Sequence, residues 1–295
     1  MDSADITFLY QGKFEKNTNC SIRLTRKYFP ESKIVLSCWE GDEDLIEEKV
    51  DILVLNTDPG CEFIDGFKVD NLNRQIISTA NGLDMVTTKY VCKLRTDSYL
   101  ASDKIKILYD KYSSNAYSSK KFTSEILVTN LTTLDPRKTS HKFHVCDWIF
   151  LGRTVDVKKI FSLSIKPPSH FSWYADKSNV QDNICSQFRT ESVLFMHLYD
   201  HERLETDNEE KHELDSVNMT LDLFFNDLII VNHWMIGLKS WKHKKLYLWY
   251  SKDRLFFTDW LNSSRHKISI FEKIRESLMI SLNFVATWFV KYLKG

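Results

Sequence analysis

Up to about residue 165 the chain alternates short apolar runs with amphipathic stretches of helix length. Ile6–Tyr10, Lys33–Trp39 (KIVLSCW) and Ile52–Asn56 (ILVLN) predict strands, and so do Tyr90–Arg95, Glu125–Leu131 and Phe143–Leu151. Between them, Asn17–Phe29 predicts a helix stopped by Pro30. Asn71–Val86 predicts another, with Leu72, Ile76, Leu83 and Val86 on one stripe, and Thr154–Phe161 a short third. Strands alternating with helices mean β-α-β units, hence an α/β fold with a mainly parallel central sheet. After Pro167-Pro168 the pattern changes. Arg189–Tyr199 and Leu214–Val231 read as helices joined by the charged stretch His201–Glu213, Trp234–Trp260 is aromatic and basic, and Ile268–Leu293 is a long amphipathic helix. The organisation expected is a nucleotide-sized α/β part over residues 1–165 and a mostly helical part over 166–295, an arrangement also compatible with one continuous domain.

Composition narrows the class. The chain has 295 residues, 43% of them apolar, which is too many for disorder and too few for a polytopic membrane protein. Forty basic residues balance forty acidic ones, which argues against a protein that holds nucleic acid phosphates. An aromatic content of 13% points to stacking on rings or to a lipid interface. The six cysteines stand singly, with no CxxC pair, and read as core thiols in a reducing compartment rather than as disulfides or a zinc site. Met1-Asp2-Ser3-Ala4-Asp5 is acidic and runs straight into a strand, unlike a signal peptide, and no window is apolar enough to span a bilayer. The compartment expected is the cytoplasm.

Signatures of several enzyme classes are missing from the sequence: GxGxxG, the GxxxxGK[ST] phosphate loop, HExxH and GxSxG. What remains is a series of polar residues where strands should end, the place where open α/β sheets bind ligands. These are Gln11-Gly12, Glu40-Gly41, Asp58-Pro59-Gly60 and Arg95-Thr96-Asp97-Ser98, with Asp147 expected inside a late strand. Asp97, beside Lys93 and Arg95, suits a site for a divalent ion and a diphosphate, with Arg95 able to fork onto phosphate. Asn71 can cap the helix that carries Arg74, whose N-terminus attracts anions. Glu191 follows a loop rich in aromatics (Phe171, Trp173, Tyr174) and could take a proton from a sugar hydroxyl. His197, His201 and His233 are candidate metal or phosphate contacts.

The segments FLYQG, LSCWEG, DPG, NLNRQIISTANGL, KYVCKLRTD, NLTTLDPR and FHVCDWIFLG resemble, in order and spacing over roughly residues 6–195, the WavE lipopolysaccharide-synthesis family. Its members are regarded as glycosyltransferases of bacterial surface polysaccharide, similar to the GT-A class: an α/β nucleotide-sugar-binding domain with a helical C-terminal extension. The resemblance implies that Gln11 and Gly12 lie under the nucleotide, with Arg74 near its phosphates or base. It puts Asp97 in the place of the last Asp of the Asp-x-Asp metal motif, where an Mn²⁺ or Mg²⁺ ion would bind. It sets His144 and Asp147 beside the acceptor and makes Glu191 the candidate base. One departure stands out. The first Asp of the motif is Arg95 here, which leaves metal dependence open, since Arg95 and Lys93 could neutralise the leaving diphosphate instead.

The resulting expectation is a cytoplasmic enzyme, at the inner face of the inner membrane, that moves a sugar from a nucleotide-sugar to a lipopolysaccharide or capsule glycan, free or lipid-linked. Trp148, Trp173 and Tyr174 would stack on sugar rings. The C-terminal helix, basic and apolar, would either pack on the core or lie in the membrane surface as an in-plane anchor. Nucleic acid is not an expected partner. A non-catalytic nucleotide-sugar or glycan-binding protein, a membrane-surface scaffold and a nucleotidyltransferase are the rival classes. The last would carry a Gly-rich phosphate loop, which residues 6–16 (ITFLYQGKFEK) lack.

Overall fold

The computed structural model describes residues 1–60, 62–64, 68–113, 121–163, 190–199, 209–243, 252–264 and 270–292. Its centre is a seven-stranded sheet. Strand β1 (Ile6–Gln11) is buried along its whole length, as a continuous apolar run between two helical layers should be. It pairs in parallel with β2 (Lys33–Trp39) on one side, and β2 pairs in parallel with β3 (Ile52–Asn56) at the edge. Leu53 and Leu55 on that edge strand are exposed. Helix α1 (Thr18–Tyr28) connects β1 to β2 and ends just before Pro30, and Tyr10 of β1 donates its hydroxyl proton to the Ser21 carbonyl of α1.

A small hairpin, β4 (Glu62–Ile64) with β5 (Lys68–Asp70), leads into helix α2 (Leu72–Asp84). This helix lies so close to the sheet that a Cβ on Gly82 would meet Leu9 Cδ1 at 2.5 Å and Ser37 Cβ at 3.0 Å. The next strand, β6 (Tyr90–Arg95), pairs in parallel with β1. It is followed by β7 (Ser98–Leu100), helix α3 (Lys104–Tyr112) and β8 (Ile126–Thr129).

The late strand departs from expectation. Only Ile149–Arg153 (β9) extends; residues 143–148 are buried but irregular, with Phe143 at a φ of 56°. Strand β9 runs antiparallel to both β6 and β8, so its first residue lies level with the carboxyl end of β6. Asp147 therefore stands ahead of the strand rather than inside it, and at the same edge as Gln11 and Arg95. Helix α4 (Thr154–Ile160) follows as expected.

The chain returns to this sheet after residue 166. Helices α5 (Thr190–Met196) and α6 (Glu209–Asp222) are followed by a wide turn over Leu223–Asp227 and by β10 (Leu228–Val231), parallel to β8. Leu214–Val231 is thus half helix and half strand: the run Leu228-Ile229-Ile230-Val231 is fully buried, and a short apolar run fits either element until a neighbouring strand claims it. Strand β11 (Leu238–Ser240) pairs with β7, and helices α7 (Phe257–Ser263) and α8 (Ile270–Tyr292) close the chain. The sheet order is β10-β8-β9-β6-β1-β2-β3, with β9 alone reversed, so the fold is α/β with a mixed, mostly parallel sheet. The boundary at residue 165 does not divide that sheet, because β10 extends it. Cys38, Cys92 and Cys146 are buried thiols, with burial pushing Cys38 up to about 12; Cys61 and Cys185 lie outside the described residues.

Candidate functional site

Six of the seven strands point one way, and at their carboxyl edge lies a cavity of about 700 Å³, a volume in the ordinary range for a small-molecule site. Its floor is laid by the residues that leave β1 and enter α2. Gly12 turns the chain with a φ of 108°, a conformation side chains rarely tolerate, and donates its N–H to the Ser37 carbonyl at 3.1 Å. Ser78, one turn after Arg74 on α2, donates to Gln11 Oε1 at 2.8 Å. Its neighbour Gln75 donates to Asp147 Oδ2 at 2.6 Å. The other oxygen, Asp147 Oδ1, is buried without a hydrogen-bond partner, although the residue borders the cavity. A donor on a bound ligand or a water in the cavity would complete it.

The cations of the cavity are mostly spoken for. Arg74 forks onto Asp58 at 2.7 and 2.6 Å and also reaches Asn71 Oδ1 at 3.1 Å. Asn71 therefore does not cap α2 with its side chain; its amide oxygen steadies the arginine instead. Arg95 forks onto Asp97 at 3.0 and 2.9 Å and lies over the Trp148 ring at 4.9 Å. Burial opposes its charge, but Asp147 and Asp97 outweigh burial and hold the guanidinium above its ordinary pKa. The remaining basic residues on the wall are Lys13 and Lys242, both exposed and neither in an ion pair among the described residues. Lys242 reaches the wall because Trp241 stacks on Tyr99 at 4.3 Å and donates its N–H to the Asp97 carbonyl at 3.0 Å. Against these four cations stand seven carboxylates: Glu15, Glu40, Asp42, Asp58, Asp97, Asp147 and Glu191.

Of the residues expected at the site, the cavity gathers Gln11, Gly12, Arg74, Arg95, Asp97, Asp147 and Glu191. It does not gather Lys93, whose side chain is wholly buried beneath it, donating to the Asp147 carbonyl and lying over the rings of Phe150 and Phe161. Burial lowers that ammonium to about 8, against the pull of Asp147. Lys93 supports the site from below and does not face a diphosphate. Trp148, 4% exposed, is a shelf for the Arg95 guanidinium rather than a platform for sugar rings. His144 is buried behind Glu191, with Nε2 3.9 Å from Oε2. His233 is buried too, and burial next to Arg254 pushes it down to about 3; His197 meets the Lys159 carbonyl at 3.0 Å. Neither histidine lines the cavity. Phe171, Trp173, Tyr174 and His201 lie outside the described residues.

The divalent ion expected at Asp97 does not fit these side chains. Both Asp97 oxygens are taken up by Arg95, with Ser98 Oγ a further donor at 3.3 Å, and no three His, Cys, Asp or Glu side chains among the described residues come together as ligands. Sequence reasoning missed Lys13, Gln75, Ser78 and Lys242. Gln75 and Ser78 had a signal, since Ser78 lies four residues after Arg74 and three after Gln75, the spacings that share a helical face; Lys242 had none, for it arrives through the β7–β11 pairing.

The sequence matches the family described as WavE lipopolysaccharide synthesis over residues 8–291. No curated protein sequence matches the chain. Solved structures similar to it include the galactosyltransferase LgtC in complex with donor and acceptor sugar analogues, at 9% identity and a TM-score of 0.41, covering 90% of this chain and 99% of that one. HddC from Yersinia pseudotuberculosis is similar at 12% identity and a TM-score of 0.32, covering 62% of this chain and 86% of that one.

Proposed function

The chain belongs to the WavE lipopolysaccharide synthesis family, and from that membership and the cavity at the sheet edge we propose that it is a glycosyltransferase. The donor is a nucleotide-sugar and the acceptor a lipopolysaccharide or capsule glycan, at the cytoplasmic face of the inner membrane. The observation that carries this reading is convergence: residues from β1, α2, the β6–β7 turn, the approach to β9 and α5 meet around one cavity at the carboxyl edge. Gln11, Gly12 and Arg74 underlie the nucleotide. Lys13 and Lys242, outside the ion pairs, receive the diphosphate together with Arg95.

In an inverting displacement the acceptor oxygen bonds to the anomeric carbon as the bond to the donor phosphate breaks. Glu191 takes the acceptor proton, and the three cations meet the charge left on the diphosphate. Asp147 Oδ1 accepts a sugar hydroxyl, which completes its hydrogen bonding. Asp97 holds Arg95 in place. A thermal-shift panel of nucleotides and nucleotide-sugars tests the donor site: a ligand at about 100 times its Kd adds roughly 2.7 kcal/mol. If no nucleotide or nucleotide-sugar raises the melting temperature, the proposal fails.

Arg95 in the place of a carboxylate favours one second reading, a nucleotide-sugar-binding protein without transfer. Donor hydrolysis or sugar transfer by the purified protein excludes it.

A further inference from the structure

Helix α8 is built inside out. Among its described side chains the buried ones are polar: Glu276, Asn283 and Thr287 are 2%, 8% and 7% exposed. Glu276 Oε2 accepts from Asn232 Nδ2 and from Trp234 Nε1, both at 3.1 Å. The large apolar residues Ile270, Phe271, Ile274, Leu278, Leu282, Phe284, Val285 and Trp288 are 47–81% exposed. Turned through about 100° per residue, these eight fall within an arc of about 160°, and the three polar residues lie opposite. A helix packed on a core shows the reverse arrangement.

From this face we infer a docking surface for an anionic lipid bilayer. The apolar arc carries no acidic residue, and Lys273 and Arg275, both exposed, border it on either side; Arg275 also forks onto Glu276 Oε1 at 3.2 and 2.9 Å, so Lys273 is the border cation outside an ion pair among the described residues. Such a pattern seats the apolar face among acyl chains and the cations among anionic headgroups. Phe271 and Trp288 add the aromatic residues that interfaces favour. A second copy of the chain is a poorer occupant, because a symmetric contact would set one basic border against another with no carboxylate on the arc to answer it. None of the described helices is long and apolar enough to cross a membrane, so α8 lies in the plane of the surface.

The placement has a use. Asn232 and Trp234, which α8 grips, follow the carboxyl end of β10, and β10 runs in the same direction as β1 and β6. The lipid-facing helix and the cavity thus share one edge of the sheet, where a lipid-linked acceptor would arrive.

Co-sedimentation of the full chain with vesicles decides the matter and needs no donor, so its outcome is separate from that of the transfer reading. Phosphatidylcholine vesicles containing phosphatidylglycerol should pellet the protein at low salt; pure phosphatidylcholine or high salt should pellet less of it. The double variant Leu278→Glu, Leu282→Glu should bind at least about tenfold more weakly, with an unchanged melting temperature because both positions are exposed. Failure of the parent chain to bind anionic vesicles at low salt would overturn the inference, as would unchanged binding by a folded double variant. So would a concentration-dependent dimer in sedimentation velocity that the double variant abolishes, since the face would then belong to a second copy.

Discussion

Replacing Lys93 with methionine should stabilise the protein near neutral pH, and the advantage should fade as pH rises. Lys93 is fully buried, and burial lowers its pKa from 10.5 to about 8. Between about pH 8 and about pH 10.4 the unfolded chain keeps a proton that the folded chain has released. Raising the pH through that window therefore favours folding, by about 1.4 kcal/mol per pH step. At pH 7 the buried charge costs the parent protein on the order of 3 kcal/mol relative to a neutral amine at the same place. Methionine escapes that cost and keeps the packing against Phe150 and Phe161, but it forfeits the hydrogen bond to the Asp147 carbonyl, worth about 1 kcal/mol. The gain expected at pH 7 is on the order of 1–2 kcal/mol.

The pH dependence is the cleaner measurement. Other groups act with the opposite sign: burial raises the thiols of Cys38, Cys92 and Cys146 and, from about pH 10 upward, the phenols of Tyr10 and Tyr109. They are common to both proteins and cancel in the difference. The melting-temperature lead of Lys93→Met over the parent should therefore shrink from about pH 7 upward and reverse by about pH 10, a change of several degrees at roughly 2–4 °C per kcal/mol. A difference that stays flat across this range would refute the reasoning. The kinetic consequence separates support from contact. Donor KM should hold while kcat falls, because Asp147 loses its prop; a raised donor KM at constant kcat would mean that Lys93 touches the diphosphate.

Glu191→Gln should leave donor binding intact and lower transfer on the order of 10²–10⁴-fold, measured by acceptor glycosylation. Asp97→Ala, which frees Arg95, should abolish transfer in a folded protein, whereas Asp97→Asn, keeping one acceptor for the guanidinium, should retain part of it. Chelation should leave the rate unchanged, and loss of activity restored by Mn²⁺ would return the metal to Asp97. Lys242→Ala should raise donor KM about tenfold through one lost charge-assisted contact. Gly82→Ala should lower stability by about 1–2 kcal/mol in denaturant melts, because overpacking Leu9 outweighs the gain in helix propensity.

The parallel half of the fold was legible because its strands read as unbroken apolar runs, whether buried on both faces like β1 and most of β2 or half-exposed at the edge like β3. KIVLSCW and ILVLN appear as β2 and β3 with the predicted bounds. Periodicity failed where a run was short and its neighbour distant. Leu228–Val231 became a strand only because β8, about a hundred residues earlier, offered it a ladder. The FHVCDWIFLG segment failed for a different reason. Its first half is buried by irregular packing, with Leu134 donating to the His144 carbonyl and Thr133 accepting from the Cys146 amide. Burial alone looks the same in sequence whether or not a ladder exists.

At the site, residue type proved easier to read than residue pairing. Arg95, Asp97 and Asp147 do meet at one edge, as strand-end logic requires. Yet chemistry is set by which charges are already satisfied, and that depends on contacts two residues away as much as on contacts across the fold. Arg95 and Asp97 lie at i and i+2 and close on each other through the β6–β7 turn, so an apparent metal ligand becomes the anchor of a guanidinium. Lys93, on the same strand two residues before Arg95, is also buried, under Asp147, and so is withdrawn from any diphosphate. The cavity cations outside ion pairs among the described residues are then Lys13, just past Gly12, and Lys242, carried in by the pairing of β11 with β7. If those two bind the donor's phosphates, the β7–β11 ribbon is part of the active site, and a change that unstacks Trp241 from Tyr99 should weaken donor binding without touching any residue of the central sheet.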